Sequence, residues 1–473
     1  MSRQAGRVGR TFESFGHRNY RLLWTGSLLS TTAFMTTFLL VPVVAYEITG
    51  SYTASGIALM GSGISMFFLG PFGGVIADRY AKKPLVLIGQ IFPTLLIVIT
   101  GLLIVTGVIT VWMLFLSTLL MGFGFALMGP ARQAWLGELV PRRLLANGVA
   151  LQQMSQNMAR VFGPMLVSVL LAAFAFSTGY LYLIVASFFL IVIPLTTMLP
   201  KTKPVRREGE SPRVLAEMKL GFAYLLKTPR LRVLWVFWMV MVVCSFAFNT
   251  LIPGFVEREF GRPSTDAFNV YLIFGAASFF FNIPLAGLVG GRWGWPLLLI
   301  TGFGSAVSFF LFAIAPSFEG ILVMSILNGA STSGVMLVTM SLMMAHSRPE
   351  YFGRVMSFIT LGYGAQAMMA GVWGGIADAL GGRQTFVVIG VIALAITAFM
   401  VVAWLRTRHL PLEYGTAAAE TGLAPARSLG PPLRRQPVPA FTAQVAPVVL
   451  MEGQKPRGED ALAGTTQMAG GGD

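Results

Sequence analysis

Gly74-Val-Ile-Ala-Asp78-Arg79-Tyr-Ala81-Lys82-Lys83 joins two apolar blocks, 53–77 and 84–107, each longer than the 20 or so residues that cross a bilayer. Four charges packed between two such blocks describe a short polar turn at a membrane surface. Outward from it the pattern repeats, with apolar blocks near 22–46, 53–77, 84–107, 111–137, 146–172, 177–199, 232–256, 268–291, 296–315, 319–345, 353–378 and 384–406. Twelve spans in 473 residues that are 55% apolar and 11% charged describe an all-α membrane protein.

The net charge of +15 does not describe a nucleic-acid binder, because the cations gather by loop and not on one soluble face. With the N-terminus inside, 30 of the 34 Lys and Arg fall on the cytoplasmic side, three outside and one, Arg160, within the membrane. That positive-inside bias predicts a multi-pass inner-membrane protein with both termini cytoplasmic. Residues 1–21 carry no apolar stretch of signal-peptide length, so span 1 is expected to remain in place. The single cysteine, Cys244, excludes an intrachain disulfide and a thiolate metal cluster.

Polar residues 201–231 divide the spans into two groups of six, 22–200 and 232–406, between a cytoplasmic segment 1–21 and a tail 407–473 that reads as disordered. Pro71-Phe-Gly-Gly74-Val-Ile-Ala-Asp78-Arg79 recurs as Pro284-Leu-Ala-Gly287-Leu-Val-Gly-Gly291-Arg292, which predicts two pseudo-symmetric six-helix bundles. Between the bundles, Ser211-Pro212 reads as a helix start. Val214, Met218, Phe222 and Leu225 then form one apolar stripe, as in a helix lying on the inner membrane surface.

Asp78 ends a span that runs inward, where the helix dipole disfavours an anion, so a compensating group is required. Candidates are the N-terminus of span 11 near Gly353 and Arg132 at the inner end of span 4. The first would bring the two halves together only in one state. Gly74, Asp78, Arg79, Lys82, Lys83 and Arg132 are therefore gating candidates, against the plainer reading of a static charge cluster that sets orientation. Arg160 lies about 20 Å along span 5, and a charge at that depth is costly unless it faces the bundle interior or water. Gln153, Asn157, Arg160 and Pro164 share a face, with Gln156 beside it, so this face is expected to line a path on which Arg160 attracts an anionic or electron-rich group. Asn282, Asn328, Tyr363 and Gln366 are further candidates for the path, although such residues also hold spans together. No Asp, Glu or His falls at mid-membrane, which leaves Glu47 and Asp78 as candidates for any proton coupling. No metal-ligand cluster, nucleophile–base set or nucleotide-binding glycine loop is present, so neither an enzyme nor a cofactor is expected.

The segment Gly74–Lys83 resembles the signature of the major facilitator superfamily, with Ala81 where that family usually has Gly. Pro130-Ala-Arg132-Gln-Ala-Trp135-Leu-Gly-Glu138-Leu-Val140-Pro141, Asn157-Met-Ala-Arg160-Val-Phe-Gly163-Pro164, Tyr46-Glu47-Ile48-Thr49-Gly50-Ser51 and Gly353-Arg354-Val355-Met356-Ser357 resemble its branch of enterobactin and macrolide exporters. The resemblance implies a monomeric secondary transporter, with protons and membrane lipids as possible partners besides a small-molecule substrate. The export it implies is of multidrug or siderophore type. Gly163-Pro164 resembles the span-5 kink of antiporters, but Val167-Ser168 stands where that motif often has a Gly pair. Related exporters often carry an Asp in span 1, where this chain has Thr31-Thr-Ala-Phe34. Lysolipid translocation and a membrane sensor that has lost transport are the competing readings.

Overall fold

A computed structural model describes residues 13–141, 144–174, 177–200, 214–289, 293–348 and 351–407. The tail from 408, most of segment 1–21, and Ser211-Pro212 lie outside the described residues, as do the side chains of Gly74, Asp78, Gly353, Val214 and Met218.

The first half comprises α1 (Arg18–Thr49), α2 (Tyr52–Arg79), α3 (Lys82–Val105), α4 (Val111–Leu139), α5 (Leu145–Phe174) and α6 (Thr178–Thr197). A linker helix, α7 (Val214–Lys227), leads to α8 (Pro229–Phe260), α9 (Ala267–Leu288), α10 (Gly294–Ile314), α11 (Phe318–Ala345), α12 (Phe352–Met368), α13 (Ala370–Leu380) and α14 (Gly382–Thr407). Eleven described helices are long and apolar enough to span a bilayer. The twelfth crossing is α12 plus α13. The sequence pattern gives it as one block, and the structure interrupts it at Met369, across which the Met369 and Trp373 amides still donate to Ala365 and Met369 carbonyls.

Duplication is visible in the helix ends. α1 and α8 are both 32 residues long, each carries a proline seven residues before its last (Pro42, Pro253), and each stops at a left-handed glycine, Gly50 at φ 64° and Gly261 at φ 63°. Only glycine takes that conformation without strain, so the two caps fix equivalent exits from equivalent helices. Within the halves, α2 packs on α4, α3 on α6 and α1 on α5, while α9 packs on α11 and α10 on α14. Across the halves two seams meet, α2 against α12 and α13, and α5 against α9.

The linker stripe does more than float on a surface. Leu225 is fully buried, the Phe222 ring meets Trp235 and Phe358 at 5.9 and 5.4 Å, and Tyr224 stacks on Tyr351 at 4.1 Å. α7 is thereby docked against α8 and α12 of the second half, with Phe222 still partly exposed.

Candidate functional site

We call the end of the bundle where α1 begins and α14 ends the terminal face, and the opposite end the distal face. Between them, α5 is exposed on two opposite sides. Met154, Phe162, Met165 and Val169 form an apolar exposed side, which suits lipid. Val149, Gln153, Gln156 and Arg160 form the other exposed side, roughly half a turn around the helix. Gly163, Pro164 and Val167 carry this second stripe onward, and all three are buried. The stripe is thus exposed up to Arg160 and buried beyond it.

Polar groups on α12 and α4 are also candidates. Arg160 makes no hydrogen bond or ion pair with a described residue and lies within electrostatic reach of Tyr363 on α12. Tyr363 sets its hydroxyl 3.7 Å from Met336 Sδ and its ring edge-on to Trp238 at 5.7 Å. Gln366 follows on the same helix and is half-buried, as is Asn157. On α4, Gln133 is exposed between Gly129 and Gly137, where an added Cβ would meet nothing within 4 Å. Gln133 is absent from the sequence-based candidates, although Gly129, Gln133 and Gly137 recur every four residues, the helical spacing that marks a shared face.

Directly above Arg160 the halves touch. A Cβ at Gly275 on α9 would lie 2.6 Å from the Arg160 carbonyl oxygen, and within the first half one at Gly163 would lie 3.0 Å from Thr36 Oγ1 on α1. Phe34 stacks on Phe125 at 3.7 Å, and Phe38 meets Phe246 of the second half at 5.5 Å, so aromatic rings join the halves here. The α2 seam continues the closure toward the distal face. Gly364 and Gly63 bring α12 and α2 so close that a Cβ would lie 2.5 Å from the Phe67 and Met368 amide nitrogens respectively, and Gly56 and Gly374 abut the Ala370 and Tyr52 carbonyls.

At the distal end, Asp378 of α13 accepts hydrogen bonds from Ser51 Oγ (2.6 Å) and from the Tyr52 and Thr53 amides (3.1 and 2.8 Å). Arg258 of α8 pairs with Asp378 at 3.3 Å, donates through Nε to the Tyr46 hydroxyl at 2.9 Å and through Nη2 to the Gly50 carbonyl, and lies 4.6 Å over the Tyr52 ring. Arg258 and Asp378 belong to the second half and all of their other partners to the first.

Two expectations are revised. Asn328, expected on the path, is 1% exposed and donates from Nδ2 to Ser308 Oγ at 2.7 Å, so it ties α11 to α10 inside the second half. Asn328→Ala is expected to lower stability by ~1 kcal/mol, read as a drop in melting temperature, with substrate affinity unchanged. Lys82 and Lys83 bind within the first half. Lys82, nearly fully buried, pairs with Glu138 at 3.1 Å, and Lys83 Nζ donates to the Thr197 and Leu199 carbonyls at 2.6 Å each, completing the end of α6. Arg79 is exposed, and Arg132 is buried with Nη2 3.1 Å from Met128 Sδ. Asn282, half-buried on α9, leaves its buried Oδ1 without a partner among the described residues.

Every described Asp, Glu and His side chain lies at or near a helix end or in a loop. Glu47, at the distal end of α1, accepts from Thr178 Oγ1 at 2.9 Å and lines a separate distal cavity of about 460 Å³ with Ser168, Asp266 and Asn269. No group of His, Cys, Asp and Glu among the described residues is arranged to hold a metal.

Two groups of long apolar helices that meet along the α2 and α5 seams describe a multi-pass membrane protein. The sequence profile of the Major Facilitator Superfamily matches residues 23–318 and 270–451, and the chain belongs to that family. An uncharacterized MFS-type transporter, YfiS of Bacillus subtilis (strain 168), is 24% identical over 192 residues, 40% of this chain and 44% of that protein. The multi-drug resistance efflux pump PmrA of Streptococcus pneumoniae is 25% identical over 63% of this chain and 74% of its own length. The enterobactin exporter EntS of Shigella flexneri is 27% identical over 46% of this chain and 52% of its own. The match thus spans less than two thirds of YfiS and of EntS. Among solved structures, the nucleoside transporter NupG superposes with a TM-score of 0.67 over 82% of this chain and 99% of that one; at 15% identity this is a likeness of fold alone. These relatives and neighbours are transporters, not enzymes.

Proposed function

We propose that the chain is a secondary exporter of small amphipathic compounds bearing an anionic or electron-rich group, working by alternating access. The carrying observation is Arg160, an exposed guanidinium with no described ion-pair partner at the blind end of a polar stripe. An uncompensated cation there is costly unless water and, in turn, a ligand anion complete it. Phe34, Phe38, Phe125, Phe246 and Met336 around it suit the apolar body of such a compound. A sensor with a dead centre would tie Arg160 to protein groups.

The Lys and Arg bias supports a cytoplasmic terminal face, on which reading the stripe of α5 is open inward and the distal seam closed outward. The names of PmrA and EntS support efflux, of drugs in one case and of a siderophore in the other. Proton coupling would fall to Glu47 or Asp78, because no described acid lies beside the path. Asp78 would also supply the anion that buried Arg132 requires on the neighbouring helix.

Everted vesicles test the reading. Accumulation of at least one anionic amphiphile from a panel of dyes, macrolides and catechols, above that of vesicles lacking the protein, is the expected result. Its dependence on an imposed proton gradient separates antiport from facilitated export. No accumulation of any of them would overturn export of this substrate class.

A further inference from the structure

The pentapeptide Gly74-Val-Ile-Ala-Asp78 that ends α2 occurs a second time, 300 residues later, as Gly374-Gly-Ile-Ala-Asp378 ending α13. Four of five residues agree, and the two copies close helices that run in opposite directions, one at each face of the bundle. These helices are also partners in the α2–α12/α13 seam.

The second copy shows what such a sequence does. Asp378 receives the first amides of α2, Tyr52 and Thr53, together with the hydroxyl of its N-cap residue, Ser51. A carboxylate suits that position because the first amides of a helix have no intrahelical acceptor and the dipole is positive there. One turn earlier, Gly374 abuts the Tyr52 carbonyl, leaving no room for a Cβ, so the start of α2 can come down onto the end of α13. Ala377 is fully buried in the same contact region. Glycine for approach and aspartate for capture, four residues apart on one helix face, form a clasp on the N-terminus of the opposing helix. Arg258 reinforces it from a third helix, bridging Asp378 to Tyr46 and Gly50.

We infer that Gly374–Asp378 is a distal clasp that holds the present state, the counterpart at the distal face of the gating contact expected of Gly74–Asp78 at the terminal face. One helix pair thus carries a clasp at each end, and engaging one requires releasing the other. This rests on the alternating-access reading but not on the identity of any substrate.

The test is pulsed dipolar spectroscopy on the full chain in a Cys244→Ser background. Spin labels at Val108 and Ile314, both exposed at the distal face in opposite halves, report on distal opening. Asp378→Asn should raise the distal-open fraction about tenfold, the scale of losing charge-assisted hydrogen bonds. Asp78→Asn should shift the same distances toward the closed population. Ser51→Ala keeps the acid and removes the hydroxyl bond to Asp378 together with the cap bond that Ser51 Oγ accepts from the Ala54 amide, and should give about a threefold shift in the direction of Asp378→Asn even where the latter accumulates poorly. Unchanged distances in Asp378→Asn and Ser51→Ala, or a shift in one direction for both aspartates, would overturn the inference. The readout needs no substrate, so failure of the vesicle assay would leave it standing, and the converse also holds.

Discussion

Arg160→Ala should abolish export of an anionic substrate, with the rate falling roughly 30-fold or more, while membrane insertion and melting temperature stay close to those of the parent. The size follows from what the side chain faces. A charge contact in a partly desolvated site is worth about 2–5 kcal/mol when one partner is truncated, and the ligand has no second described cation beside it to take over. Stability should change little, because Arg160 has no hydrogen bond or ion pair with a described residue for the truncation to break. Arg160→Lys should recover part of the transport by restoring the charge without the planar fork. Substrate-dependent quenching of Trp238, which touches Tyr363, offers a binding readout separate from turnover. Equal transport by parent and Arg160→Ala would remove the central claim about the site.

The second large effect is expected at Gly364, where leucine should hold the distal face open and stop transport. Its Cβ would fall 2.5 Å from the backbone nitrogen of Phe67 and 2.7 Å from that residue's Cα, and backbone cannot rotate aside as a side chain can. Relief requires α12 to leave α2, and those helices belong to different halves. Overpacking of this kind costs about 1–3 kcal/mol, enough to move a two-state balance by roughly 5- to 150-fold. Gly61→Leu is the control. A Cβ there would strike the Phe115 carbonyl and the Leu119 amide of α4, inside the first half, so the expected loss is of folded protein and not of distal closure. Parent-like label distances in Gly364→Leu would show that the α2 seam does not set the closed state.

Much of the architecture is legible in the sequence because the bilayer constrains it so heavily. Block length alone marks the spans, and the polar stretch after Pro200 marks the division between halves. The exposed face of α5 is legible too, since Gln153, Gln156 and Arg160 are polar where lipid would demand otherwise. What stays hidden is which side chains are satisfied by a neighbour far away in the chain. Asn328 looks like Gln153 in sequence, and only the position of Ser308 on α10 turns it from a path residue into a packing one. Lys82 and Lys83 read as part of a gate because they follow Asp78, but Glu138 and the end of α6 claim them. Arg258 and Asp378 fall near helix ends, and their joint hold on the α1–α2 turn depends on a juxtaposition of helices that no local pattern encodes.

The contact between Gly275 and the Arg160 carbonyl bears on how cargo and conformation are linked. The residue whose side chain would grip the ligand is the one whose backbone the other half leans on. News of occupancy therefore has no chain of intermediaries to traverse. Any tug on the guanidinium would bear at once on this contact between the halves, and a bulkier residue in place of Gly275, whose Cβ would fall 2.6 Å from the Arg160 carbonyl oxygen, would force the two apart.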